Sequence, residues 1–146
     1  MRDFELKDAG GRSRRLSTAL TSGPVILAFF KVECPTCQFT FPHIQRIFAS
    51  VGKDWNAQLW GISQDDGEDT LRFARQYGIS FDMLLDEYPY DVSNAYGIVA
   101  VPTLFIVEQD GKISFSDNGF SKASLNHIAG HEMFTPDDGL PASRPG

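Results

Sequence analysis

The feature that most constrains the fold is a continuous apolar run from Pro24 to Phe30, bounded by Gly23 and Lys31. A strand that alternates apolar and polar residues can face solvent on one side, whereas a continuous apolar run needs cover on both sides. Such strands lie in the centre of sheets whose two faces are covered by helices. The run therefore predicts an α/β fold built around this strand.

The remaining patterns predict strands and helices that alternate around the central strand. The turn residues Asp8 to Gly11 separate two short runs and predict an N-terminal β-hairpin. Later segments predict a strand–helix–strand–helix order, then a hairpin and a last helix, which gives a mixed sheet with helices on both faces. We expect a helix from Pro35 to about Val51 that Pro42 kinks and Gly52 ends, strands over 57–62, 81–85, 103–107 and 112–115, helices over 68–77 and 92–96, and a helix capped by Ser121 that runs through Leu125 to about Met133.

The length of the chain predicts one domain. Its 146 residues are enough to bury a core without disulfides. We expect this domain to span residues 1–134. Residues 135–146 hold three of the eight prolines and two glycines, so we expect a disordered tail there.

The charge balance argues against a nucleic-acid partner. The formal net charge is −6, and the sequence has no basic run that could follow a phosphate backbone. No apolar run approaches the length of a membrane span, so we expect no membrane span in this chain. We also expect the protein to be a monomer. The segment from Met1 to Phe4 lacks the apolar part of a signal peptide, which leaves open a leader removed before this point.

The two cysteines, Cys34 and Cys37, form an isolated Cys-x-x-Cys pair. A disulfide scaffold needs more cysteines, and a structural zinc site usually needs four ligands, so the pair indicates redox chemistry. Cys34 follows the central strand and a short loop, at the start of the predicted helix. Free backbone N–H groups and the helix dipole favour a thiolate there. We therefore assign Cys34 as the attacking thiol and Cys37, one turn on, as the resolving thiol.

Several segments occur in a characteristic order: the opening Asp3 to Leu6, the strand Ile26 to Phe30, the motif Cys34-Pro35-Thr36-Cys37, Pro42 five residues on, the segment Tyr96 to Val107, and the turn Asp110 to Ile113. In this order they resemble the thioredoxin-like superfamily over about residues 3 to 130. The opening segment and the long middle segment are similar to the TlpA-type and alkyl hydroperoxide reductase/thiol-specific antioxidant branch. The resemblance implies a thioredoxin fold with a central mixed β-sheet, helices on both faces and an N-terminal β-hairpin extension. It also implies thiol–disulfide exchange with protein substrates, without a cofactor or a metal.

The same resemblance implies further site residues. In this family the proline that corresponds to Pro102 is cis and packs beside the cysteine pair. It leaves Val101 with a free backbone edge, where an extended substrate strand can pair. Glu33, Pro35 and Thr36 complete the active-site loop. The implied partners are protein thiols or disulfides and a redox partner protein. Relatives usually work outside the cytoplasm, so an extracytoplasmic compartment is favoured, and the cytoplasm stays open.

Departures from the family pattern concern charge and proton transfer. Glu33 stands where the family often has Trp, and a carboxylate beside Cys34 opposes thiolate formation. Ala28 stands where thioredoxins have a buried Asp, and Thr40 where TlpA-type proteins often have Glu. Both familiar proton acceptors for the resolving Cys37 are therefore missing. We expect a slow disulfide reductase near neutral pH whose rate rises towards alkaline pH.

Two alternatives use the same fold. A peroxiredoxin is the first, because the segment Val32 to Thr36 resembles its peroxidatic loop. However, the required Pro-x-x-x-Thr-x-x-Cys pattern is not met, since the Pro and Thr positions hold Leu27 and Lys31. A non-catalytic binding module is the second, and the presence of both cysteines argues against it.

A metal carrier is a third alternative. His43 follows the cysteine pair but points elsewhere on a helix, and His127 and His131 share an i, i+4 spacing. Without nearby acidic ligands, a solvated helix end explains the latter pair better. The acidic residues between Asp65 and Asp69 fit a turn and the first turn of a helix.

Overall fold

The computed structural model describes residues 2–51 and 55–146. Its helices and strands follow the predicted order, with one additional short pair of strands near the C-terminus. The elements are β1 Glu5–Lys7, β2 Ser13–Arg15, α1 Leu16–Ala19, β3 Val25–Phe30, α2 Pro35–Val51, β4 Gln58–Ser63, α3 Gly67–Tyr77, β5 Asp82–Leu85, α4 Asp91–Ala95, β6 Thr103–Val107, β7 Ile113–Asn118, β8 Phe120–Ser121, α5 Lys122–Ala129 and β9 Ser143–Arg144.

The main sheet has five strands in the order β5-β4-β3-β6-β7. β3 lies in its centre, parallel to β4 and antiparallel to β6, and every residue of β3 is buried. β1 and β2 pair antiparallel as a separate hairpin. These findings confirm the predicted mixed sheet, the central strand and the N-terminal hairpin.

Successive residues of β3 belong to two separate cores. Ile26, Ala28 and Phe30 pack with residues of α2, α3 and α5, whereas the alternate positions of the strand pack with α1, α4 and Phe4. This division follows from the strand geometry, because successive side chains point to opposite faces of a sheet. The continuous apolar run therefore supports helices on both faces of the sheet.

The last helix is shorter than predicted. Ser121 caps it as expected, since its side chain accepts a hydrogen bond from Ser124 N, but α5 ends at Ala129 rather than near Met133. Gly130 adopts a left-handed conformation with φ of 82°, and Asn126 Oδ1 accepts the backbone N–H of Met133. These contacts end the helix and turn the chain back. The predicted end of α2 at Gly52 lies outside the described residues.

The C-terminal segment differs from the expectation of a disordered tail over residues 135–146. In the structure, β9 pairs antiparallel with β8, and Leu140 packs against the core. Lys122 Nζ lies 2.6 Å from a carboxylate oxygen of Asp138 and donates to the carbonyl of Thr135. Backbone pairing and this ion pair hold a segment whose composition offers few apolar groups.

None of the helices formed by residues 2–51 and 55–146 combines the length and the apolar composition that a membrane span requires.

Candidate active site

The cysteine pair lies where the central strand passes into α2. The backbone N–H of Cys34 donates to the carbonyl of Lys31 at 3.2 Å, which closes a tight turn after β3. Cys34 Sγ accepts the backbone N–H of Cys37 at 3.2 Å. Both cysteines are free thiols, with Cys34 half-buried and Cys37 buried. The N-terminal end of the helix thus directs an N–H group and its positive partial charge towards the outer sulfur.

Cys37 has no solvent exposure and packs in the core formed with α2. Burial raises the pKa of the Cys37 thiol far above its ordinary value, and the hydrogen bond with Cys34 adds to this effect. The backbone and the charge of Lys31 lower the pKa by smaller amounts. Cys37 is therefore protonated at neutral pH, whereas Cys34 is the sulfur that a second molecule can reach.

Ala28 stands where thioredoxins have Asp and Thr40 where TlpA-type proteins often have Glu, and both residues are buried. Ala28 has no exposure, and Thr40 is 1% exposed. Thr40 Oγ1 donates to the carbonyl of Thr36 at 2.6 Å. Neither side chain is a base, and Glu33 is exposed in the loop. A proton that leaves Cys37 therefore has no carboxylate at either family position to receive it.

The segment before β6 reaches the outer sulfur. Cys34 Sγ lies 3.4 Å from the carbonyl oxygen of Val101, and the Val101–Pro102 peptide bond is cis, as the resemblance implies. Cys34, Pro35 and Val101 line one cavity of about 390 Å³, and Val99 on its rim is 93% exposed. The structure therefore brings the predicted thiol and the predicted substrate edge together.

Two residues of the predicted active-site loop have other surroundings. Glu33 lines a separate cavity of about 200 Å³, together with Asp69 and Arg72 of α3. Thr36 is buried, and its hydroxyl donates to the carbonyl of Pro145 at 2.7 Å. Glu33 therefore faces α3 rather than the cavity of Cys34, and Thr36 faces the C-terminal segment.

Asp65 is a site residue that the sequence analysis missed. Its Oδ2 accepts the backbone N–H of Val32 at 2.9 Å, and the carbonyl of Val32 accepts a bond from Gln38 Nε2. These bonds fix the loop between β3 and α2. The order of the strands could have predicted this contact. Asp65 follows β4, and the carboxyl ends of the adjacent parallel strands β3 and β4 meet at one edge of the sheet.

The histidines lie in aromatic surroundings rather than with the cysteines. The ring of His43 packs against Phe120 and Phe134, and burial together with the charge of Arg46 lowers its pKa. His127 stacks on Phe115. Among residues 2–51 and 55–146, no three His, Cys, Asp or Glu side chains are grouped so that they could hold a metal ion.

Comparison with known proteins gives a family match and several relatives. The family model described as AhpC/TSA family matches residues 1–116. The chain is similar to the thiol-disulfide oxidoreductase ResA of Halalkalibacterium halodurans, with 30% identity over 112 residues that cover 76% of this chain and 62% of the relative. The chain thus spans less than two thirds of that relative's length.

Two solved structures show the same architecture. StoA from Bacillus subtilis matches with a TM-score of 0.73 at 19% identity, over 89% of this chain and 97% of that one. Peroxidoxin BcpB from Mycobacterium tuberculosis matches with a TM-score of 0.71 at 28% identity, over 88% of this chain and 90% of that one. These similarities confirm the predicted thioredoxin fold.

Proposed function

This chain belongs to the AhpC/TSA family, and we propose that it is a thiol–disulfide oxidoreductase that exchanges a Cys34–Cys37 dithiol or disulfide with protein substrates. The observation that carries this proposal is the arrangement of the two sulfurs. The half-exposed Cys34 sulfur accepts an N–H bond at the start of α2, and the buried Cys37 lies beneath it. The similarity to the thiol-disulfide oxidoreductase ResA supports the same chemistry.

In the reducing direction, the Cys34 thiolate attacks one sulfur of a substrate disulfide. A bond forms between Cys34 and that sulfur, the substrate S–S bond breaks, and the other substrate sulfur leaves as a thiolate that takes up a proton. The N–H of Cys37 and the helix dipole stabilise the attacking thiolate. The product of this step is a mixed disulfide between Cys34 and the substrate.

Cys37 completes the reaction. It gives its proton to solvent and attacks the sulfur of Cys34, so that a Cys34–Cys37 bond forms and the bond to the substrate breaks. The second substrate sulfur leaves as a thiolate, which takes up a proton from solvent. Two electrons have then passed from the dithiol to the substrate, and Cys34 and Cys37 are joined by a disulfide. A dithiol on a redox partner protein restores the reduced pair by the same exchange, and the reverse sequence oxidises a substrate dithiol.

The roles of the two cysteines can be tested by trapping. With Cys37→Ser, a substrate protein should accumulate as a mixed disulfide on Cys34, because the resolving thiol is gone. The matched variant Cys34→Ser should trap little, because its remaining thiol is buried. Non-reducing gels and peptide mass spectrometry measure both. Better trapping by Cys34→Ser would reverse the assigned roles, and no trapping by either variant would contradict the exchange reaction.

A thiol peroxidase is the second candidate, favoured by the family match and by the similarity to peroxidoxin BcpB. Its chemistry needs a hydroxyl beside the thiolate to position the peroxide. Lys31 occupies the Thr position and is exposed, and Leu27 in β3 occupies the Pro position. Reduced protein mixed with hydrogen peroxide in a stopped-flow instrument should oxidise slowly, like an ordinary thiol. Fast, saturable oxidation would favour the peroxidase instead.

We also propose that the protein acts as a monomer in an extracytoplasmic compartment. The compartment rests on the resemblance to TlpA-type proteins. Fractionation of cells that produce the native gene product tests the compartment, and light scattering of the purified protein tests the monomer.

A further inference from the structure

Residues 141–146, here called the tail segment, lie on the face of the molecule that carries the cysteine pair. β9 within this segment pairs antiparallel with β8, with Arg144 opposite Phe120, and the N–H of Lys122 donates to the carbonyl of Ala142 at 3.0 Å. β8 begins one residue after Gly119, whose N–H donates to the carbonyl of Pro102. The tail segment therefore extends the backbone edge that begins at the loop before β6.

The far end of the tail segment reaches the active site itself. Pro145 accepts the hydroxyl of Thr36 at 2.7 Å, and Thr36 lies between the two cysteines in sequence. Gly146 lines the cavity that contains Cys34. The backbone there is so close that a Cβ on Gly146 would lie 2.6 Å from the Val101 carbonyl oxygen.

Val101 is also the position where an extended substrate strand is proposed to pair. We propose that the tail segment is a built-in occupant of this substrate edge, so that the enzyme selects protein substrates able to displace it. This inference rests on the proposed exchange reaction and adds a determinant of specificity. A small disulfide needs only the half-exposed sulfur of Cys34, whereas an extended polypeptide needs the edge as well.

The tail segment makes few side-chain contacts, so a substrate strand can displace it. Its residues from Pro141 to Gly146 have exposed side chains, and its contacts with Thr36, Phe120 and Lys122 use backbone atoms. The guanidinium of Arg144 adds one contact, 5.1 Å from the centre of the Phe39 ring. The ion pair between Lys122 and Asp138 lies before the segment in the chain and keeps it tethered when its end is displaced.

The test compares a protein disulfide with a small one. Insulin and 5,5′-dithiobis(2-nitrobenzoate) are reduced by the parent, by a chain ending at Leu140, and by Gly146→Ala. If the edge is mostly occupied by the tail, removing it should raise kcat/KM for insulin on the order of tenfold, because apparent affinity scales with the fraction of open edge. The rate with the small disulfide should change less than about twofold on the same argument.

Gly146→Ala keeps the whole chain, so it tests the inference even if the shortened chain does not fold. Its added Cβ cannot fit against Val101, so the tail end must move, and insulin reduction should rise in the same direction. Asp137→Ala is the matched control, because Asp137 is exposed and lies before the tail segment. This control should leave both rates unchanged.

The outcomes separate this inference from the proposed function. If the parent reduces neither disulfide, the exchange reaction itself is wrong. If the parent reduces both, but neither variant changes the ratio of the insulin rate to the small-disulfide rate, the exchange reaction stands and the tail inference is wrong. An equal fall of both rates would mean that the segment only supports the fold, which also overturns the inference.

Discussion

Ionisation of Cys37 should control the second half of the exchange reaction. The thiol is buried, its pKa is raised by that burial, and the positions where the family places a carboxylate hold Ala28 and Thr40. Only the thiolate attacks the mixed disulfide. Well below the pKa, the thiolate fraction rises tenfold for each pH unit. Between pH 7 and pH 9 the resolution rate should therefore rise about 100-fold.

The two steps can be observed in one experiment. Reduced protein is mixed with excess 5,5′-dithiobis(2-nitrobenzoate) in a stopped-flow instrument, and release of the coloured thiolate is followed. The first phase reports attack by Cys34 and depends on reagent concentration. The second phase reports attack by Cys37 on the mixed disulfide and does not. The roughly 100-fold rise should appear in the second phase, because only the Cys37 thiol ionises in that step.

A base installed next to Cys37 should remove this pH dependence. Thr40 lies nearly one helical turn after Cys37 and is buried. Thr40→Glu should speed the second phase at pH 7 by about 10²-fold, the lower end of general-base effects, and flatten its pH profile. Thr40→Gln is the matched control, with the same shape and no base.

Two results would refute this reasoning. A second phase that is flat from pH 7 to pH 9 in the parent would mean that another group already accepts the proton. Equal acceleration by Thr40→Gln and Thr40→Glu would mean that loss of the bond between Thr40 and Thr36, rather than proton transfer, limits resolution.

Three further predictions concern stability, each measured by urea unfolding. The reduced protein should lose stability above about pH 8.5, by up to about 1.4 kcal/mol per pH unit, because the unfolded Cys37 thiol ionises there while the folded thiol, with its raised pKa, stays neutral. An unchanged slope in Cys37→Ala would contradict this. Asp65→Ala should cost about 1–3 kcal/mol by leaving the Val32 N–H unpaired, and Asp65→Asn, which keeps an acceptor, should cost less; equal losses would contradict the contact. Phe41→Ala should cost about 3–5 kcal/mol, because its ring is buried 4.4 Å from the Phe30 ring centre, and a loss no larger than that of the half-exposed Leu71→Ala would contradict the packing.

Local patterns predicted the parts of the fold that depend on neighbours in sequence. The apolar run of β3 predicted burial on both faces because its alternate residues serve two cores. The spacing of Cys34 and Cys37 at a helix start predicted their different exposures, because one turn of helix separates them.

Contacts between distant segments could not be predicted in this way. The bond between Asp65 and Val32 joins the loops that follow two different strands, so no local pattern predicts it. Residues 135–146 were expected to be disordered because composition measures how much apolar surface a segment can bury. Their placement depends instead on backbone pairing between β9 and β8 and on the Lys122–Asp138 ion pair.

The two unusual features of this site act on different steps of the proposed reaction. The tail segment occupies the edge at Val101, which a substrate needs only until its disulfide has met Cys34. The buried Cys37 acts only after the mixed disulfide has formed, and its pKa is raised by burial and by the hydrogen bond with Cys34. Substrate choice is therefore determined before the first bond forms, whereas proton loss determines how long the mixed disulfide lasts. A slow second step also gives a wrongly bound partner time to leave, because its own released thiolate can attack the mixed disulfide and restore the free Cys34.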